Sequence, residues 1–373
     1  MVPKPQFNLF RSVRNKLLIL MITLSLLPLL GMSVFSYLTG RRQIHERIRL
    51  SLVKMAQDTA DKLDLLLGGK REEIHSMATT YPLIYQGINE KNRESLVLLL
   101  NNYCFNSDVY DLLIVLDKSG RIVGINTVDR NLVPFSEAKL SEIIGQDISR
   151  FPEEQGLFAA SITGHNHHQD WYQSKLVQKI YQYGSVDRSH RYNIALSEPI
   201  RDPRTREVVG VWINILNWSH FQAILDNVEM DLADLDLRTG YSFMTAKDAD
   251  TIIGHKYRSN RYSDTKEIRN GAQDFYHTSL TGNYGLRSLH NAIRGRERDF
   301  EYDFQGSRRL AGLAAINDLS FGWIIGVEVD ESDVFRPVKA LSYWLIGVTI
   351  LLAVLVVFFT YVIAGGITVP LKI

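Results

Sequence analysis

The chain has 373 residues, room for two or three ordinary domains, with 42 Lys and Arg against 41 Asp and Glu for a net charge of +1. That balance excludes a dedicated nucleic-acid binder, which would carry a basic excess. The single cysteine, Cys104, excludes an internal disulfide and reads as a small buried hydrophobe.

In chain order, the first element is an apolar run. Residues 17–38 (LLILMITLSLLPLLGMSVFSYL) carry no charge. At about 1.5 Å per residue, a helix of that length crosses a hydrocarbon core of about 30 Å. Pro28 is tolerated there as a kink, and Tyr37 falls at one interface. The run is longer than the apolar region of a signal peptide and no A-x-A site follows it, so an uncleaved anchor is expected. Lys4, Arg11, Arg14 and Lys16 precede it and favour a cytoplasmic N-terminus, residues 1–16. Arg41, Arg42, Arg47 and Arg49 follow it and oppose that rule. Long domains translocate largely regardless of charge, so both termini are expected inside and residues 39–339 outside.

Residues 41–78 predict one long helix. Ile44, Ile48, Leu52, Met55, Leu63, Leu66 or Leu67, Ile74 and Met77 recur mostly at steps of three and four, with charges on many other positions and no proline. It continues the first span outward, and its apolar face suits packing on its own domain as well as a dimer seam. Beyond Pro82 the pattern becomes mixed. Residues 111–117 (DLLIVLD), a Lys118-Ser119-Gly120 turn and residues 121–126 (RIVGIN) predict a hairpin. Strands follow at 191–196 and 208–216, joined through Asp202-Pro203, then a helix over 218–228. A second round predicts strands at 241–245, 251–255, 300–304, 307–316 and 322–329. Residues 340–366 form the strongest apolar span, with Tyr343 and Trp344 at one edge and Tyr361 near the other.

The expected fold class is therefore α+β. A long N-terminal, membrane-continuous helix carries two stacked PAS-like antiparallel-sheet lobes, flanked by two transmembrane helices. The membrane-distal lobe spans about 80–230 and the membrane-proximal lobe about 235–332.

The order of these segments resembles a double Cache sensor domain. DLLIVLDKSGRIV resembles the first hairpin of the outer lobe, and IIGQDIS, WYQSKLVQKI and SVDRSHRYNIALSEPIRDPRTREVVGVWINILNWSHF follow the order of the ligand-binding lobe. GYSFMTAKDADTIIGHKY and FGWIIGVEVDESDVF resemble the start and end of the inner lobe, and residues 367–373 (ITVPLKI) resemble the opening of a HAMP linker. The resemblance implies the sensory input region of a bacterial inner-membrane receptor, likened to those of chemotaxis and two-component systems. Its central domain would be periplasmic or extracellular, and its output module (a histidine kinase, diguanylate cyclase or chemoreceptor signalling region) would lie beyond residue 373. It implies no enzyme activity for this segment, a small-molecule ligand, a homodimer and no nucleic acid. A membrane-tethered enzyme or a protein-binding adaptor is the alternative.

In amino-acid-binding members, the resemblance implies, an aromatic pair and an upstream arginine hold the ligand carboxylate, while a Tyr-x-Asp and a later Asp hold the amine. Trp171 and Tyr172 match the pair, Asp187 matches the Asp, Ser185 replaces its tyrosine, and Asn214 stands at the later Asp. His168 and Gln169 occupy the place of the arginine. Arginine grips a carboxylate through a planar fork that neither reproduces. The expected ligand is an amine or another polar metabolite, amino-acid-like ones included. His165, His167, His168 and Asp170 are zinc-ligand types in one short stretch without a second cluster, so a solvated loop beside the pocket is expected, with no metal and no cofactor. No G-x-S-x-G, H-E-x-x-H or phosphate-binding loop is present, so no catalytic residue is assigned.

Overall fold

The structure, a computed structural model, describes residues 13–80, 82–88, 92–181, 192–256, 279–282, 285–304 and 306–368. Ser185, Asp187 and the tail of the HAMP-like stretch from residue 369 lie outside the described residues.

The first span and the long helix form one rod, α1 (Val13–Thr80), with Pro28 inside it. Its buried positions Leu52, Ala56, Ala60, Leu63, Leu67, Ile74 and Met77 advance by three, four or seven residues, so they line one face of the helix. That face carries both lobes. Helices α2 (Pro82–Ile88) and α3 (Arg93–Asn106) then close the top of the first lobe.

The distal sheet contains β1 (Tyr110–Asp117), β2 (Ile122–Ile125), β3 (His167–Tyr172), β4 (Asn193–Arg201) and β5 (Val208–Asn217) in the order β2-β1-β5-β4-β3. All of its pairings are antiparallel. One face packs on α1 and α3 through Leu113, Val115, Leu196 and Trp212. The other, bearing Leu112, Ile114, Ile213 and Ile215, is covered by α4 (Glu137–Ser141), α5 (Pro152–Ser161) and α6 (Lys175–Tyr181). Both faces are covered, so the central strands read as continuous apolar runs rather than alternating ones.

Helix α7 (Trp218–Asp234) leads to the proximal sheet, capped by Asn217, whose side chain accepts from the Ser219 amide. That sheet contains β6 (Tyr241–Thr245), β7 (Ile252–His255), β8 (Asp299–Phe304), β9 (Ser307–Ala315) and β10 (Ile324–Asp330) in the order β7-β6-β10-β9-β8. The second sheet repeats the plan of the first, with the last strand lying between the first and the penultimate. Helix α8 (Arg287–Arg294) covers its outer face, and α9 (Glu331–Val334) leads into α10 (Arg336–Thr368). Both α1 and α10 contain stretches long and apolar enough to cross a membrane, with side chains such as Leu24, Leu30, Ile350 and Phe358 turned outward. The two helices meet at Ser33 and Thr349, whose hydroxyl oxygens lie 3.5 Å apart.

The proximal sheet approaches α1 more closely than side chains would allow. A Cβ placed on Gly312 in β9 would collide with the backbone of Leu52 and Val53. Substitution Gly312→Ala should therefore cost about 3 kcal/mol through forced separation of β9 from α1. Gly156 in α5 has open space around it, so Gly156→Ala should stabilise by up to about 1 kcal/mol. Thermal unfolding of the two variants in detergent, followed by circular dichroism, should move in opposite directions from wild type.

Candidate functional site

The face of the distal sheet turned away from α1 carries a buried polar cluster under α5 and α6. Its first part is Asp111 at the head of β1, 1% exposed. Asn217 Nδ2 donates to its Oδ1 and Asn193 Nδ2 to its Oδ2, each at 2.8 Å. The Tyr181 hydroxyl, at the end of α6, donates to the Asp111 carbonyl at 3.1 Å. These residues belong to the ends of β1, β4, β5 and α6, so four elements converge on one residue, with β4 and β5 supplying the donors to its carboxylate.

The second part is Glu154 in the first turn of α5, fully buried. The Ser174 hydroxyl donates to its Oε1 at 2.6 Å and the Tyr172 hydroxyl at 3.2 Å. Its Oε2 has no hydrogen-bond partner among the described residues. Burial outweighs these donors and pushes the carboxyl up to about 7. Burial also holds the Tyr172 hydroxyl well above its ordinary range, so it stays protonated and donates. Asn193 is the register partner of Tyr172 across β3 and β4, which joins the two parts of the cluster.

Of the sequence-predicted site residues, Tyr172 lies in this cluster. Trp171 packs on the other side, stacked on Tyr192 with ring centroids 4.3 Å apart and edge-on to Trp218. Gln169 is half-buried opposite Ala195 in the register. Asn214 is buried on the α1 face, where the Trp212 indole donates to it. His168 points to the junction between lobes, 4.5 Å from the Phe321 ring, and burial lowers its pKa. Asp111, Glu154, Ser174, Asn193 and Asn217 were not anticipated. The signal for Asp111 is a carboxylate directly before the apolar run Leu112–Leu116 of β1. Asn217 stands directly before a helix, where capping alone accounts for it.

The histidine stretch expected as a solvated loop is instead the edge strand β3, from His167 onward. Its Asp170 is engaged by the proximal lobe: the Trp323 indole donates to Oδ1 at 2.8 Å. An aromatic chain runs alongside this bond. Trp218 meets Trp323 edge-on at 5.5 Å, Phe321 lies 4.7 Å from Trp323, and His168 rests on Phe321. From α1, Arg71 pairs with Asp318 at 2.7 Å, and Asp64 accepts from the backbone amides of Asn317 and Asp318. A cavity of about 170 Å³ lies in this junction, lined by Arg71, His167, His168, Glu198 and Ser320 among others. Cys104 is buried on the α1 side and its thiol is pushed up to about 12 by burial, so it stays protonated and unreactive.

A family model described as Cache domain, dCache_1, matches residues 38–338. The chain belongs to the Cache domain family. Domains of this double Cache type are extracytoplasmic, ligand-binding sensor modules of membrane receptors. Solved structures similar to the chain include three chemoreceptor ligand-binding domains. That of Pseudomonas fluorescens CtaA in complex with L-isoleucine is 19% identical, with 80% of this chain and 98% of that one covered and a TM-score of 0.49. That of Pseudomonas aeruginosa PctC in complex with GABA is 14% identical, covering 76% and 100% with a TM-score of 0.48. That of Pseudomonas aeruginosa PctB in complex with L-Arg is 17% identical, covering 78% and 98% with a TM-score of 0.47. No curated protein matches the chain.

Two predictions concern this Cache domain. The Glu154 carboxyl is raised from its ordinary 4.5 to about 7, so the fold favours its protonated form. Its contribution is full below pH 4.5 and is lost as the pH rises through 7. Glu154→Gln removes that dependence, so the stability of wild type relative to this variant should fall by about 3 kcal/mol between pH 4.5 and pH 8. Urea titrations at several pH values measure it. The second concerns the inter-lobe bond. In a double-mutant cycle of Asp170→Asn and Trp323→Phe, the coupling should be about 1 kcal/mol, and additive effects would mean the bond carries no weight.

Proposed function

We propose that the chain is the sensory input region of a bacterial membrane receptor that binds a small amine-bearing ligand in its distal lobe. The observation that carries this reading is the pair of buried carboxylates, Asp111 and Glu154, on the sheet face away from α1. A buried carboxylate is costly unless something compensates it. Here Glu154 meets only neutral hydroxyls among the described residues. An ammonium group is the ligand feature that such a site rewards. Ser185 and Asp187 are proposed to complete the site and Gln169 to stand at its edge, while Trp171, His168 and Asn214 support the sheet from its opposite face and from the junction between lobes.

In this reading residues 17–38 and 340–366 span the inner membrane. Residues 1–16 are cytoplasmic, and 39–339 form the outer double Cache domain. Residues 367–373 open a HAMP linker to a histidine kinase, cyclase or chemoreceptor output. The chain works as a homodimer, for which the exposed Leu50 and Leu65 on α1 offer a seam. Ligand binding biases the position of β3, the Asp170–Trp323 bond passes that bias to β10, and α9 passes it to α10.

The test uses the chain in lipid nanodiscs against a panel of amino acids and biogenic amines. At least one amine should raise the melting temperature by about 3 °C or more at saturating concentration. Asp111→Asn should weaken its binding at least about tenfold in calorimetry. A panel in which only compounds lacking an amine bind would refute the ligand class.

A further inference from the structure

A second cavity, of about 360 Å³, lies where the proximal lobe meets the two apolar helices. It is lined by Leu38, Arg41, Arg42 and His45 of α1, by Glu301 and Arg308 of the β8–β9 hairpin, and by Glu331 and Phe335 before α10. We infer that this cavity binds the phosphate of an anionic phospholipid headgroup in the outer leaflet. The inference rests on the membrane placement proposed above for residues 17–38.

Charge and position carry it. Three guanidinium groups face two carboxylates, leaving a surplus of one positive charge. Arg41 is engaged by Glu331 at 3.0 Å and lies over the Phe335 ring at 4.8 Å. Arg308 donates to Glu301, whose other oxygen meets His45 Nε2 at 2.8 Å. Arg42 is exposed and makes no hydrogen bond or ion pair among the described residues. The surplus charge is therefore available on Arg42, and one phosphodiester matches it. Arg42 stands about 6 Å along the helix beyond Leu38, at the depth of a headgroup just outside a hydrocarbon core of about 30 Å. Leu38 and Phe335 give the cavity an apolar side. Tyr343 and Trp344, exposed on α10, sit within two or three turns of it, as interfacial aromatics do.

The test places the full chain in nanodiscs containing phosphatidylglycerol and counts retained lipid by native mass spectrometry after release into detergent. Wild type should keep a phosphatidylglycerol adduct that falls about fivefold in Arg42→Gln and is unchanged in Arg204→Gln, a distal surface control. Arg42 has no internal contact to lose, so its variant should fold as wild type does. Equal retention by wild type and Arg42→Gln overturns the site. So does competition at equal concentration by inorganic phosphate or glycerophosphoglycerol, which would assign the cavity to a soluble anion. Failure of the chain to enter nanodiscs overturns the membrane placement itself, a result distinct from loss of the Arg42 effect alone.

Discussion

The contact of the Gly312 backbone with the Leu52–Val53 backbone is the constraint on which the rest of the structure depends. Ala56 and Ala60, fully buried one and two turns further along α1, keep that approach close. A strand and a helix packed this tightly have no side-chain layer between them to absorb a shift. The proximal sheet therefore moves with α1 or not at all. The distal sheet meets the same rod further along, where His75 pairs with Glu198 and the larger side chains of Ile74 and Met77 are buried, so repacking is easier. The two lobes thus differ in how firmly they hold one helix.

Much of this was legible in the sequence. The strands buried on both faces announce themselves as apolar runs: DLLIVLD lies in β1, VVGVWINIL in β5, and GWIIGVEV overlaps β10. The single rod followed from the apolar stripe of residues 41–78 meeting an uncharged span. Strand β3 was hidden because it is an edge strand with a His-His-Gln-Asp sequence, and its pairing to β4 depends on backbone rather than on apolar pattern. The site was less legible than the fold. The Trp171–Tyr172 pair looks like one unit in sequence, yet neighbouring residues on a strand face opposite ways, and only Tyr172 reaches Glu154. Asp111 and Asn193 are distant in sequence and meet only because β1 and β4 flank β5.

The two lobes also use buried charge differently. In the proximal lobe Glu328 is bound by Arg309, which also faces Asp330 at 3.2 Å, while the Tyr302 hydroxyl donates to Glu328. There one guanidinium on β9 offsets charge on two carboxylates of β10. In the distal lobe Asp111 receives amide donors and Glu154 receives hydroxyls. The described donors to Glu154 are neutral hydroxyls, so its carboxylate form keeps an electrostatic preference for a cation.

The arginines that follow the first span oppose the usual charge asymmetry of membrane proteins, and the fold resolves part of that conflict. Arg41 is engaged by Glu331, and Arg49 by Asp299 at 3.1 Å. Their charge is spent on the proximal lobe once it has folded, so they do not weigh against an outer position in the finished structure. The same pairs tie α1 to the hairpin of β8 and β9 and to the entry of α10. Arg41, Glu331 and Phe335 thus join the incoming rod to the outgoing one at the level where both enter the apolar region. In the proposed signalling route, a displacement that begins at β3 and reaches β10 through Trp323 would arrive at this joint. There α9, which carries Glu331 and leads directly into α10, is tied to α1 by the Arg41–Glu331 pair.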